Sequence, residues 1–318
     1  MIKYLKLKNI KNQEDVDIDF KCWKGNIFDI PFKERESIFN GLIFVKEILI
    51  ETYPEPESVI YESGYSDQMH INSLLSFGII TGNGKYDYVL TWNKRKIISE
   101  KIVKNGKVYI ERSDLLEDDI PFFGPAWEDD DEMVDQILET YEICQKGLID
   151  SHNNYLMSIT TGGQEIKMYL RKHLFVARVD DLLRKCNGKW SKLTVIHVIN
   201  LLRQEFPLLF NYEIDWFYSI YNNYFPNLGF SNVEIKNGRI YIMKGGEYYH
   251  DNIYEMGTGF SRLCFIIPLY HQTIKEEENI LFIPDMEINL HYLLRKSMLK
   301  TWKENGKGQL LRVNEEII

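Results

Sequence analysis

Eight residues, Ile30-Pro31-Phe32-Lys33-Glu34-Arg35-Glu36-Ser37, join an apolar entry, Asn26-Ile27-Phe28, to a helix-like stretch, SIFNGLIFVKEILIET. Strand, tight loop and helix is the setting of the phosphate-binding pattern G-x-x-x-x-G-K-[ST]. Its glycines let backbone N–H groups wrap the phosphates while its lysine reaches the outer ones. Aligned without gaps, Ile30 and Arg35 take the glycine places, Glu36 takes the lysine place, and only Ser37 fits. A carboxylate in the lysine's place repels phosphate, and without glycine the loop loses the positive-φ freedom a cradle needs. The segment is therefore read as a degenerate nucleotide-binding loop formed by Ile30, Pro31, Arg35, Glu36 and Ser37.

A second group of candidates lies near the other end. EMGTGFSRLCFIIPLY is followed by NILFIPDMEINLHYLLRKSMLKTW and then by GKGQLLRV, a series read as Gly-rich loop, helix, buried strand, turn, helix, strand. With the opening strands KYLKLKNI and DVDIDF and an antiparallel segment after them, this resembles the ABC-type ATPase heads of the RecF, SMC and OLD-like group. In that group a signature loop L-S-x-G-x-x-R-L precedes a helix, and a strand ending in Asp-Glu is followed by P-E-x-x-L-H-P. The resemblance implies an α/β fold with a mixed core sheet, an antiparallel β-subdomain and a helical lid insertion.

The resemblance also implies where chemistry has been lost. Gly257, Thr258, Gly259, Ser261 and Arg262 hold the signature spacing, with Gly257 in the serine's place. A loop of that kind at a helix start can offer N–H groups to a phosphate. After the strand Ile280 to Ile283, Pro284 stands where the family has its magnesium aspartate, and Asp285 stands where it has the water-orienting glutamate. Glu287, Leu290 and His291 match the motif that follows. The family's switch histidine would fall near Glu315. Phosphoryl transfer rests on positioning and charge neutralisation, so losing lysine, metal ligand and sensor together implies a catalytically inactive relative. No catalytic residue, cofactor or metal is assigned.

Composition sets the class. The chain has 318 residues, 44% hydrophobic and 27% charged, as in a soluble globular protein. Its net charge of -9 gives no general attraction to nucleic acid. Local basic clusters, Lys94-Arg95-Lys96 and Arg171-Lys172-His173 with Arg178, Arg184 and Lys185, leave nucleic-acid contact open, although such runs usually form a solvated face. Cys22, Cys144, Cys186 and Cys264 are scattered without C-x-x-C spacing, which suits a reducing compartment without structural zinc. No signal-peptide pattern opens the chain and no uncharged apolar stretch reaches about 18 residues. A cytoplasmic protein with no membrane contact is expected.

Three regions are expected. Residues 1–127 form the first part of the head, with Asn105-Gly106 as a hairpin turn and Tyr53-Pro54-Glu55-Pro56 as an earlier turn. Residues 128–210 form the helical insertion, entered through a linker, PFFGPAWEDDDE. Its apolar residues recur at helical spacing in MVDQILETYEICQKGLI and SKLTVIHVINLLRQEF. Residues 211–318 return to the head through a hairpin at Asn237-Gly238. The acidic run Glu128 to Glu132 is read as a solvated linker, and His291, near Asp285 and Glu287, as packing support. The aromatic run NYEIDWFYSIYNNYFPNLGF divides between core packing and a partner surface. The expected role is a scaffold or regulator with a protein partner, either a second copy or a complex with an ATPase or effector nuclease. The resemblance adds an association with anti-phage defence.

Overall fold

The computed structural model describes residues 1–9, 14–20, 27–50, 72–92, 97–113, 122–123, 161–187, 192–243, 248–286, 290 and 292–314. The chain divides into two compact units, Met1–Lys21 with Glu36–Leu174, and Cys22–Arg35 with Phe175–Ile318.

The first unit is built on an antiparallel sheet of β1 (Ile2–Lys8), β2 (Val16–Asp19), β4 (Ser73–Thr81), β5 (Gly84–Trp92), β6 (Ile97–Lys104), β7 (Lys107–Ser113) and β8 (Phe122–Phe123). The spatial order is β2-β1-β4-β5-β6-β7-β8. Alternation buries one face: Tyr86, Tyr88, Leu90 and Trp92 of β5 are all inside while the residues between them are half-exposed. At the β6–β7 turn, Asn105 and Gly106 both take positive φ, 52° and 81°, the requirement of the two-residue turn whose twist matches the strands. Among the described residues the unit also holds helices α1 (Arg35–Ile50), all but its first residue, and α2 (Thr161–His173).

The second unit carries a four-stranded sheet in the order β3-β14-β13-β9, from β3 (Ile27–Pro31), β9 (Leu174–Val176, whose first residue closes the first unit), β13 (Ile280–Phe282) and β14 (Gln309–Asn314). Strands β3, β14 and β13 run parallel, with Arg312 opposite Asp29 and ion-paired to it at 3.4 Å. Its helices are α3 (Val179–Asn187), α4 (Val195–Glu205), α5 (Ile214–Tyr224), α6 (Thr258–Lys275) and α7 (Tyr292–Asn305). A small antiparallel sheet joins β10 (Val233–Lys236), β11 (Arg239–Ile242) and β12 (Tyr248–His250), turning at Asn237-Gly238 with φ of 52° and 75°.

Helix α6 is buried on every side and sits at the centre of this unit's core, with Phe260 to Tyr270 all inside. It contains Pro268, which has no N–H to give the carbonyl four residues earlier, that of Cys264. The Tyr221 hydroxyl donates to that carbonyl at 2.6 Å, so a side chain from α5 supplies the bond the proline removes. Helix α4 starts on a reciprocal cap, in which Thr194 Oγ1 accepts from the His197 amide and His197 Nδ1 accepts from the Thr194 amide, each at 3.3 Å.

Two segments differ from their sequence reading. Leu174-Phe175-Val176, inside the stretch read as wholly helical, is β9, and all three residues are buried. An apolar triplet has no period by which to tell a strand with two covered faces from a helical turn. Phe122 and Phe123, read as linker, pair with Ile110 and Glu111 of β7. The turn at Tyr53–Pro56, the basic run at 94–96, the remaining linker from Gly124, the helix read at 133–149, Cys22, Cys144, Glu287, His291 and Glu315 lie outside the described residues. Cys186 and Cys264 are buried free thiols. Among the described residues no helix is long and apolar enough to cross a membrane.

Candidate functional site

At the degenerate loop the chain spends no residues on a cradle. Strand β3 ends at Pro31, a single 3-10 turn covers Phe32–Glu34, and α1 begins at Arg35. None of residues 30–37 has positive φ. Ile30 is fully buried in the β3–β14 pairing, opposite Val313. The Arg35 guanidinium lies over the Phe32 ring, 4.1 Å from its centroid, and that ring is 48% exposed. Pro31 and Glu36 are exposed and Ser37 is half-buried.

The signature-like loop folds differently from its neighbours in sequence. A 3-10 turn, Ile253–Met256, is capped by Asn252, whose side chain accepts from the Tyr254 amide at 3.3 Å. Gly257 follows with φ of 90°, left-handed backbone that a side chain would strain, and α6 starts on the next residue. Gly257 and Thr258 are exposed and Gly259 is half-buried. Ser261 is buried, its hydroxyl donating back to the Gly257 carbonyl at 3.2 Å inside its own helix.

Arg262 is the surprise of this segment, because its side chain has no solvent exposure. The guanidinium reaches Asp285, with Nη2 2.9 Å from Oδ2, and the same nitrogen donates to the Asp285 backbone carbonyl. Nη1 pairs with Asp180, a carboxylate 44% exposed.

The conformation of Asp285 follows from the residue before it. Met286 donates its amide to the Ile283 carbonyl at 3.0 Å, closing a turn with Pro284 and Asp285 at its centre, where proline's fixed φ is favourable. Pro284 therefore shapes a turn at the position where the resemblance implies a metal aspartate. The turn aims Asp285 at the start of α3, over a hundred residues earlier in the chain. Oδ1 accepts the Val179 amide at 3.0 Å and Oδ2 accepts the Asp180 amide at 2.9 Å. These are orphan donors at a helix N-terminus, where a carboxylate is favoured by both hydrogen bonding and the helix dipole. With Arg262 as a third donor, the 6%-exposed carboxylate is held on both oxygens. Chemically the arrangement is a buried tie among the starts of α3 and α6 and the turn after β13. Among the described residues no group of three His, Cys, Asp or Glu could hold a metal ion.

Of the residues singled out in the sequence, the structure brings Arg262 and Asp285 into direct contact. Asp180 was missed, and its first-turn position in α3 gave no local sign of the partnership. The Asn252 cap was missed as well, although an Asn before a Gly-interrupted helix start is a legible signal.

No protein-family model and no curated protein matches the sequence. Solved structures do. An SMC head bound to the C-winged helix domain of ScpA aligns over 99% of this chain and 90% of its own, at 10% identity and a TM-score of 0.50. The recombination mediator protein RecF with ATP, of the RecFOR pathway, aligns over 100% and 94% at 12% identity and a TM-score of 0.41. The chain shares the fold of that SMC head.

Proposed function

We propose that this chain is a non-hydrolysing ATPase-head subunit that serves as a scaffold or regulator in a cytoplasmic protein complex. The observation that carries the reading is the engagement of Asp285. The carboxylate at the place of the water-orienting base caps α3 and pairs with Arg262, so at 6% exposure it is held by three donors and largely closed to solvent. Three further features support it. The strand-to-helix connection lacks positive-φ residues, Glu36 occupies the lysine's place, and Pro284 builds a turn where a metal ligand would stand. The residues present do not fit a magnesium triphosphate.

The proteins of similar fold are described with a winged-helix domain and within a recombination pathway, and a protein partner is proposed here by that analogy. A role in anti-phage defence belongs to the same proposal. The direct test is phosphate release from magnesium ATP by the purified chain, in which no turnover above background is expected; turnover that is lost on Glu36→Ala or Ser37→Ala would overturn the reading. A second reading, in which the chain donates its signature-like loop to a competent partner ATPase, is favoured by the exposed α6 start at Gly257 and Thr258. Under it, Gly259→Asp abolishes the partner's hydrolysis while leaving assembly intact.

A further inference from the structure

The second unit holds a cavity of about 510 Å³ between α5, the turn that follows it, α6 and α7, lined by none of the residues of the candidate site. Its floor is apolar: the rings of Tyr224 and Tyr270 meet nearly at right angles, 87° with centroids 6.0 Å apart, and Leu228 and Met298 lie beside them. Both rings are fixed. The Tyr270 hydroxyl donates to the Met298 carbonyl at 2.6 Å, and the Tyr224 hydroxyl is 3.2 Å from His271 Nδ1. Burial holds the Tyr224 phenol neutral, raising its pKa to about 12. A floor already held in place loses little freedom when a ligand arrives.

The walls are polar and balanced in charge. Asn223 and Asn227 stand on one side, Ser297 and Thr301 on the other, and one cation and one anion, Lys300 and Glu304, face each other at 3.8 Å on the rim. This set excludes several ligand classes. Phosphate-bearing molecules find a single lysine already offset by a carboxylate. A metal ion finds one carboxylate, and a purely apolar molecule would strip water from two carboxamides and two hydroxyls without replacing it. A molecule with a carboxylate and an ammonium one carbon apart, joined to an apolar body, meets every wall. We propose that this cavity binds a free α-amino acid with an aromatic or branched apolar side chain, its body on the Tyr224–Tyr270 floor and its zwitterionic end against Lys300 and Glu304.

Calorimetric titration of the full chain with L-phenylalanine, L-leucine, 3-phenylpropionate, phenethylamine and adenosine tests this. The amino acids are expected to bind with saturable heat, and each single-charge analogue up to about fivefold more weakly, since an exposed ion pair of at most about 1 kcal/mol corresponds to that factor. Glu304→Lys, on an exposed position, should weaken L-phenylalanine by a similar factor and strengthen 3-phenylpropionate, and Ser297→Trp should abolish both by filling the space. Equal binding of the analogues, binding of adenosine alone, or no heat from any amino acid at about 10 mM, above the weak end of ordinary ligand affinities, overturns the proposal.

Discussion

Removing Arg262 or Asp285 should cost the second unit much of its stability and cost no hydrolysis. Arg262→Met strips a guanidinium with no exposure and leaves Asp285 buried with only the two α3 amides to answer its charge. Breaking a buried pair from one side costs about 3–5 kcal/mol. Asp285→Ala leaves the buried guanidinium with only Asp180 and the residue 285 carbonyl, and it uncaps α3, adding about 1 kcal/mol for the lost cap. Asp180→Ala should cost about 1 kcal/mol or less, because that carboxylate is 44% exposed and its contact with Arg262 is screened by water. Arg262→Met with Asp285→Asn removes both charges and should cost less than the sum of the single changes by about 3 kcal/mol, the signature of direct coupling. Urea unfolding followed by tryptophan fluorescence reads these differences, since Trp216 and Trp302 both lie in this unit. In thermal unfolding, a loss of 3–5 kcal/mol in a unit of this size lowers the midpoint by about 6–20 °C. The reasoning is refuted if Arg262→Met and Asp285→Asn each stay within about 0.5 kcal/mol of the wild type, the range of a neutral surface change.

Three further outcomes follow from packing and charge. Tyr221→Phe leaves the Cys264 carbonyl buried without its donor and should cost about 1–3 kcal/mol; in a Pro268→Ala background, where a backbone N–H can return to that carbonyl, the same change should cost clearly less in urea unfolding. Gly308→Ala would place a methyl within 2.4 Å of the Thr273 carbonyl and 2.7–2.8 Å of those of Asn279 and Glu276, all backbone; a loss of about 3 kcal/mol or more, or failure to fold, is expected from overpacking of that kind. His271 is held down to a pKa of about 4, chiefly by burial and secondarily by Lys275. Its unfolded value is about 6.5, so the unfolded state takes up a proton first as pH falls. Stability should therefore decline from about pH 6.5 towards pH 4, and His271→Asn should flatten that part of the wild-type curve.

Much of the fold was legible because its signals are local. Asn105-Gly106 and Asn237-Gly238 each announce a tight turn, because both residues readily take the positive φ it needs, and the strands on either side alternate with period two. The head fold itself was legible through the order of loop, helix, buried strand and helix near residues 256–305. Strand β9 was hidden because three apolar residues carry no period. At the candidate site the sequence singled out Arg262 and Asp285 but gave no sign that they touch. Arg262 and Asp285 were read as remnants of two separate motifs, yet their contact depends on a turn made by Pro284 and on amides of α3, which no local pattern links to either. The bond from Tyr221 to Cys264 was invisible for the same reason: Pro268 shows which carbonyl loses its partner, but only the packing of α5 on α6 shows what replaces it.

Calorimetric titration of the purified chain with ATP in excess magnesium bears most directly on the pseudo-ATPase reading. The account predicts no saturable heat, because a carboxylate at position 36 and a loop without positive φ offer a triphosphate repulsion and no cradle. Micromolar binding that disappears on Ser37→Ala would contradict it.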